Sequence, residues 1–189
     1  MRSTLVSRRK FLANSTAALA GAGITGIIPA NSFPQETAKS KIKDYRTLGR
    51  TGFRVSDIGC GPVMINDENL LKAVLDTGVN IIDTAEFYGN GNNEILVGKS
   101  IKGFKRESLF INTKLMIAKS DKKDDIVLRV RKCIERLNSD YLDGMMFWNP
   151  SSREEFKNNE FHEAFKQLKS EGRVKYCGIS CHGSEYPSA

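Results

Sequence analysis

The sequence predicts an α/β protein in which strands and helices alternate around a parallel sheet. Three observations carry this expectation. Short apolar runs end at Asp83, Lys114, Trp148 and Ser180, spaced 31, 34 and 32 residues apart, about the length of one strand–helix unit. Between them lie stretches whose apolar residues recur at helical spacing. The runs are also nearly continuous, as strands buried on both faces of a parallel sheet should be.

Residues 45–48 and 53–56 flank Gly49-Arg50-Thr51-Gly52 and predict a hairpin. Residues 57–61 read as a first strand. Leu70, Leu71, Val74 and Leu75 fall on one helical face, with Asn66 or Asp67 as cap and Gly78 as stop. Residues 79–82 form the second strand. Residues 94–101 form a short helix with Asn93 as its cap. The third strand, 109–113, is closed by Lys114. Val127, Val130, Ile134 and Leu137 mark a helix starting near Ser120 or Asp121. Residues 141–147 are the fourth strand. Phe161, Ala164, Phe165 and Leu168 mark a helix stopped by Gly172, and 174–179 are the fifth strand. Right-handed crossovers place all these strand ends on one face of the sheet. Residues far apart in sequence therefore converge there.

The richest segment is residues 80–89, N-I-I-D-T-A-E-F-Y-G. An apolar run ends in a carboxylate, Asp83, and a phenol, Tyr88, follows five residues later. Lys114 closes the next run. A free phenol gives up its proton only near about pH 10. An ammonium beside it favours the phenolate and makes the phenol a better proton donor.

These residues resemble the aldo-keto reductase family, whose motif reads D-T-A-x-x-Y-G followed by a strand-end lysine. The resemblance covers about residues 45–182. It implies a (β/α)8 TIM-barrel fold with its site at the C-terminal ends of the strands. It also implies NAD(P)H-dependent interconversion of a carbonyl and an alcohol. In that reading Tyr88 is the general acid, Lys114 stabilises its phenolate, and Asp83 orients Lys114. The substrate is a small-molecule carbonyl or sugar-like compound, and the cofactor is NADP or NAD. Cofactor contacts fall to Asp83, Ser180 and Cys181. Ser180 would hydrogen-bond the nicotinamide carboxamide, and Cys181 stands where the family commonly has Asn. No metal site is expected.

Two features depart from the family. Trp148 occupies the position of the family's strand-end His. An indole donates one hydrogen bond, accepts none and carries no proton. Trp148 and His182 are the candidate substrate-binding residues; His182 also reads as a solvated loop residue. Gly89-Asn90-Gly91 lacks the full GxGxxG spacing and reads as the turn after Tyr88. In addition, only five barrel strands are legible where the family has eight. The expectation is that 44–189 is the N-terminal part of a barrel, truncated at its C-terminus relative to the family, with about five of eight βα units. A rival reading follows from Trp148, the strand count and the export signal over residues 1–30: a non-catalytic or degenerate fragment, or a binding module, on the same scaffold.

Ser7-Arg8-Arg9-Lys10-Phe11-Leu12 precedes a mildly apolar run, 13–30, rich in Ala, Gly, Ser and Thr. This resembles a twin-arginine signal. It predicts a signal peptide over 1–30, a linker over 31–43, the twin-arginine translocase as partner, and a periplasmic or extracellular destination. A spanning helix needs about 20 strongly apolar residues, so no stable membrane anchor is expected.

The chain carries 29 Lys and Arg against 22 Asp and Glu, a net charge of +7. Four of the basic groups, Arg2, Arg8, Arg9 and Lys10, lie in the acid-free first 30 residues. The remaining excess is small and dispersed, which argues against nucleic-acid binding. Alternating charges along the helices read as solvated faces. Cys60, Cys133, Cys177 and Cys181 form no CxxC pair and, with two histidines, no zinc pattern. They read as buried free thiols, with a disulfide open if the protein is exported.

Overall fold

The computed structural model describes residues 41–182. The expected signal peptide, and all but the last residues of the expected linker, lie outside the described residues. The chain enters as an antiparallel hairpin, β1 (Tyr45–Thr47) and β2 (Arg54–Ser56), with Arg46 opposite Val55. Its turn needs Gly49 and Gly52, whose φ values of +47° and +70° lie in the left-handed region that side chains disfavour.

Four strands follow: β3 (Ile81–Asp83), β4 (Phe110–Leu115), β5 (Leu142–Trp148) and β6 (Val174–Ser180). They pair in chain order and in parallel. The connecting helices are α1 (Glu68–Asp76), α2 (Asn92–Ser100), α3 (Lys123–Arg136), the short α4 (Arg153–Phe156) and α5 (Asn159–Ser170). This is the alternating pattern expected, as part of a (β/α) barrel.

The expected first barrel strand is reduced to one residue. Cys60 alone pairs with Ile82, donating its N–H to the Ile81 carbonyl and accepting from Asp83 N–H, both at 2.9 Å. Gly59, Gly61 and Pro62 surround it, and glycine and proline weaken strand interiors. The position beside β3 is nevertheless kept.

Caps account for most helix starts. Asp67 accepts from Asn69 N–H at 2.8 Å, as one of the two candidates required. Asn158 accepts from Phe161 N–H at 3.1 Å and Ser152 from Glu155 N–H at 3.0 Å. Two expectations are corrected. Asn93 does not cap α2; it lies within the helix and is buried, accepting from the Thr84 hydroxyl and donating to the Pro62 carbonyl. Helix α3 starts at Lys123, two residues past Asp121, the later of the two expected starts; the Asp121 carboxylate accepts from Ala118 N–H and Arg129 instead.

The sheet has two unlike faces. Ile82, Ile111, Leu115, Met145 and Phe147 point to the helices and pack with Leu71, Leu75, Val97, Val130, Ile134, Phe161 and Leu168. Each fully buried side chain of this kind contributes about 1.5–3 kcal/mol. The opposite face carries Phe110, Asn112 and Lys114 on β4. Gly144, Met146 and Trp148 follow on β5, then Tyr176, Gly178 and Ser180 on β6, by the alternation of strands. At its lower end Phe110 meets Phe53 edge-on (5.4 Å) and stacks on Tyr176 (6.2 Å). The Tyr176 hydroxyl donates to the Thr51 carbonyl at 3.0 Å. The hairpin thus closes the floor beneath the site.

The solvated-face reading of the helix charges is corrected at Glu94 on α2, and Asp143 on β5 is a second buried carboxylate. Asp143 is held by Arg106 at 2.8 Å, Lys175 at 3.0 Å and the Ile111 N–H. His162, on α5, bonds the Phe156 carbonyl at 2.9 Å and packs edge-on against Phe156 and Phe161. The cysteines divide as well: all are free, Cys60 and Cys133 are buried, Cys177 is exposed and Cys181 half-buried. The outer surface of β6 explains the exposure of Cys177, since Ile179 on the same face is exposed too. Among the described residues no helix is long and apolar enough to cross a membrane.

Candidate active site

Lys114 is the best-buried charge on the inner face of the sheet, 1% exposed. Burying an ammonium costs several kcal/mol unless it is paired and hydrogen-bonded. Both conditions are met. Its Nζ donates to Asp83 Oδ2 at 2.7 Å and to the Thr84 carbonyl at 2.8 Å. Strand pairing makes this possible. Register puts Asp83 beside Asn112, two residues before Lys114 on the same face of β4. The chain then continues the ladder, with Thr84 N–H on the Asn112 carbonyl and Glu86 N–H on the Lys114 carbonyl.

Beyond Glu86 the chain turns sharply. Tyr88 N–H bonds the Ala85 carbonyl and Asn90 N–H bonds the Phe87 carbonyl. Gly89, Asn90 and Gly91 all take positive φ, at +57°, +53° and +88°. A Cβ on Gly91 would also lie 2.7 Å from Arg136. The glycines therefore serve the turn. That turn presents the half-buried Tyr88 with its ring centroid 4.9 Å from the Lys114 ammonium, a cation–π contact.

Trp148, at the end of β5, meets the Tyr88 ring edge-on (5.6 Å, 82°) and the Phe87 ring at 6.0 Å. Its Nε1 is buried without a hydrogen-bond partner, unusual for a buried donor. Asp83, Lys114, Tyr88 and Trp148 thus form one continuous set of contacts.

Ser180 lies beside Trp148 in register and is half-buried. Its carbonyl accepts from Asn149 N–H at 2.7 Å. The Asn149 side chain accepts from His182 N–H at 2.9 Å. Asn149 has φ +51°, a conformation that Asn tolerates better than most residues. It ties the rim of β5 to that of β6. The backbone of His182 is held, while its side chain stands on an exposed residue; Cys181 is half-buried. Among the described residues no group of three His, Cys, Asp or Glu could hold a metal.

Sequence reasoning missed the supports behind the site. Arg129 and Arg136, seven residues apart on α3, are mostly shielded and reach partners on α2 and in the loops after β3 and β4. Arg136 grips Glu94 at 2.5 Å, and Glu94 accepts from the Thr113 hydroxyl at 2.5 Å. Arg129 pairs with Glu86 and with Asp121. The seven-residue spacing was the available signal, because it puts both arginines on one helix face. Near Glu94, burial pushes the Cys133 thiol well up from its ordinary value, with the carboxylate adding to the effect.

The sequence profile of the aldo/keto reductase family matches residues 65–187. A Schizosaccharomyces pombe protein bearing the name of a voltage-gated potassium channel beta subunit is 32% identical over 155 residues, covering 72% of this chain and 44% of that protein. Among solved structures, aldo-keto reductase AKR11C1 from Bacillus halodurans, in its holo form, is 31% identical with a TM-score of 0.62. The match covers 73% of this chain and 50% of that one. An aldo/keto reductase from Klebsiella pneumoniae, solved with NADP and acetate, is 27% identical with a TM-score of 0.59, over 70% of this chain and 48% of that one. The chain spans about half the length of the curated relatives it matches.

Proposed function

The chain belongs to the aldo/keto reductase family, and on that footing we propose that it interconverts a carbonyl and an alcohol with a nicotinamide cofactor, NADP or NAD. The observation that carries this is the contact of buried Lys114 with both Asp83 and the Tyr88 ring. The similar Klebsiella structure with NADP supports a nicotinamide cofactor.

The residues present fit such a group. Ser180 offers a half-buried hydroxyl at the rim, and Asp83 a carboxylate whose side chain is 48% exposed. Asp83, Ser180 and Cys181 would hold the cofactor, which supplies a hydride when bound. Tyr88 gives its phenolic proton to the carbonyl oxygen as the alcohol forms. Lys114, shielded from water, stabilises the phenolate that remains. Asp83 and the Thr84 carbonyl hold the ammonium in place. Tyr88, being half-buried, can be reprotonated from solvent. Trp148 covers part of the Tyr88 ring, and its Nε1–H is buried rather than turned to the open site. It cannot accept or relay a proton, so acid–base work rests on Tyr88.

One observation favours a second reading. Trp148 stands where the family has His, and a scaffold without that imidazole could bind the cofactor without turnover. The test is NADPH oxidation with a panel of aldehydes, ketones and sugars, alongside energy transfer to NADPH from Trp148, the one tryptophan of the chain. Turnover of any carbonyl supports the oxidoreductase. Binding without turnover supports the second reading, and neither contradicts both.

The Arg8-Arg9 pattern further supports export by the twin-arginine route to the periplasm or beyond. Replacing both arginines by lysine should trap the precursor in the cytoplasm. Unchanged export of the double variant would remove that proposal.

A further inference from the structure

We propose that Arg129 is a positioning residue that locks the Tyr88 loop against the end of β4, which carries Lys114; the inference rests on the oxidoreductase reading of the site. Arg129 lies on α3 and touches none of the reacting groups. Its Nε donates to Glu86 Oε2 at 3.1 Å, and one terminal nitrogen donates to Glu86 Oε1, a two-pronged grip on one carboxylate. The same terminal nitrogen donates to the Met116 carbonyl at 2.6 Å. The other donates to Asp121 Oδ2 at 2.7 Å. Asp121 in turn accepts from Ala118 N–H at 2.9 Å.

The placement of these partners gives the network its meaning. Glu86 precedes Tyr88 by two residues, and Met116 follows Lys114 by two. Glu86 N–H also bonds the Lys114 carbonyl at 3.2 Å. One guanidinium therefore ties the loop that carries the proton donor to the end of the strand that carries its ammonium. The three side chains are largely shielded, at 28%, 15% and 20% exposure for Arg129, Glu86 and Asp121. Low exposure strengthens the grip, because solvent screens it less. A lysine has no fork and cannot reach all four oxygens together. Small displacements of reacting groups have large kinetic effects, roughly 100-fold for about 1 Å.

The test compares wild type with Arg129→Lys, Arg129→Met and Glu86→Gln. Turnover, KM for NADPH and Trp148 emission are measured on folded protein, verified by circular dichroism. The expected result is a roughly 10- to 100-fold fall in kcat, an almost unchanged KM for NADPH, and shifted Trp148 emission, since Trp148 reports on Phe87 and Tyr88. The order expected is Met worse than Lys. If all variants keep wild-type kcat and emission, the proposal is wrong. If wild type itself does not turn over, the oxidoreductase reading fails and emission alone decides: a shift supports the positioning role, and unchanged emission overturns it.

Discussion

Lys114 is buried, yet the carboxylate it pairs with at 2.7 Å, Asp83, stands half in solvent. The pair is thus a buried cation anchored at the edge of an accessible site. An ion pair placed only for stability gains nothing from keeping its carboxylate at a solvent-facing rim. A pair that must meet a bound group needs one partner reachable.

Asp83→Asn should leave the Lys114 ammonium with the Thr84 carbonyl and a weaker neutral partner. The stability loss is expected at about 1–2 kcal/mol, below the 3–5 kcal/mol of a fully buried pair because Asp83 is half exposed. Turnover should fall further than stability does. Denaturant unfolding beside initial-rate kinetics checks this, and a variant with full activity would remove Asp83 from the site.

Glu94→Ala should cost about 3 kcal/mol. The carboxylate is fully buried and paired with Arg136, while Arg136 keeps a quarter of its side-chain surface in solvent, which places the loss at the lower end. Loss of the acceptor for the Thr113 hydroxyl adds to it. Urea unfolding measures the change; a loss under about 1 kcal/mol, the range of surface pairs, would contradict the buried network.

The thiols should react in two classes. Burial pushes the thiols of Cys60, Cys133 and Cys177 all upward, so access separates them: Cys60 and Cys133 are buried, Cys177 is exposed and Cys181 half-buried. Folded protein treated with N-ethylmaleimide at pH 7 should gain two adducts, on Cys177 and Cys181, and four in denaturant. Modification of Cys133 in the folded state would contradict its placement against Glu94 and Arg136.

The order of elements was legible because the apolar period changes visibly between strand and helix. Asp83, Tyr88 and Lys114 were legible because their spacing follows from strand ends meeting on one face. Cys60 was misread as part of a full strand, since an apolar period does not show that flanking glycines and Pro62 leave a single bridge. The roles of Asn93, Asn149, Arg129 and Glu94 were not legible. Each acts through a partner 9 to 43 residues away, and local pattern contains no such pairing. Glu94 and Arg136 in particular look like surface charges until α3 is packed against α2.

The central claim is that Tyr88 supplies the proton for carbonyl reduction. Tyr88→Phe keeps the ring against Lys114 and Trp148 and removes only the hydroxyl. The decisive measurement is single-turnover oxidation of NADPH by this variant with a carbonyl that wild type reduces, with cofactor affinity read in parallel. The account predicts unchanged NADPH affinity and a rate lowered at least about 100-fold, within the range of general acid catalysis. A Tyr88→Phe rate within about tenfold of wild type, roughly 1.4 kcal/mol in barrier, would contradict it.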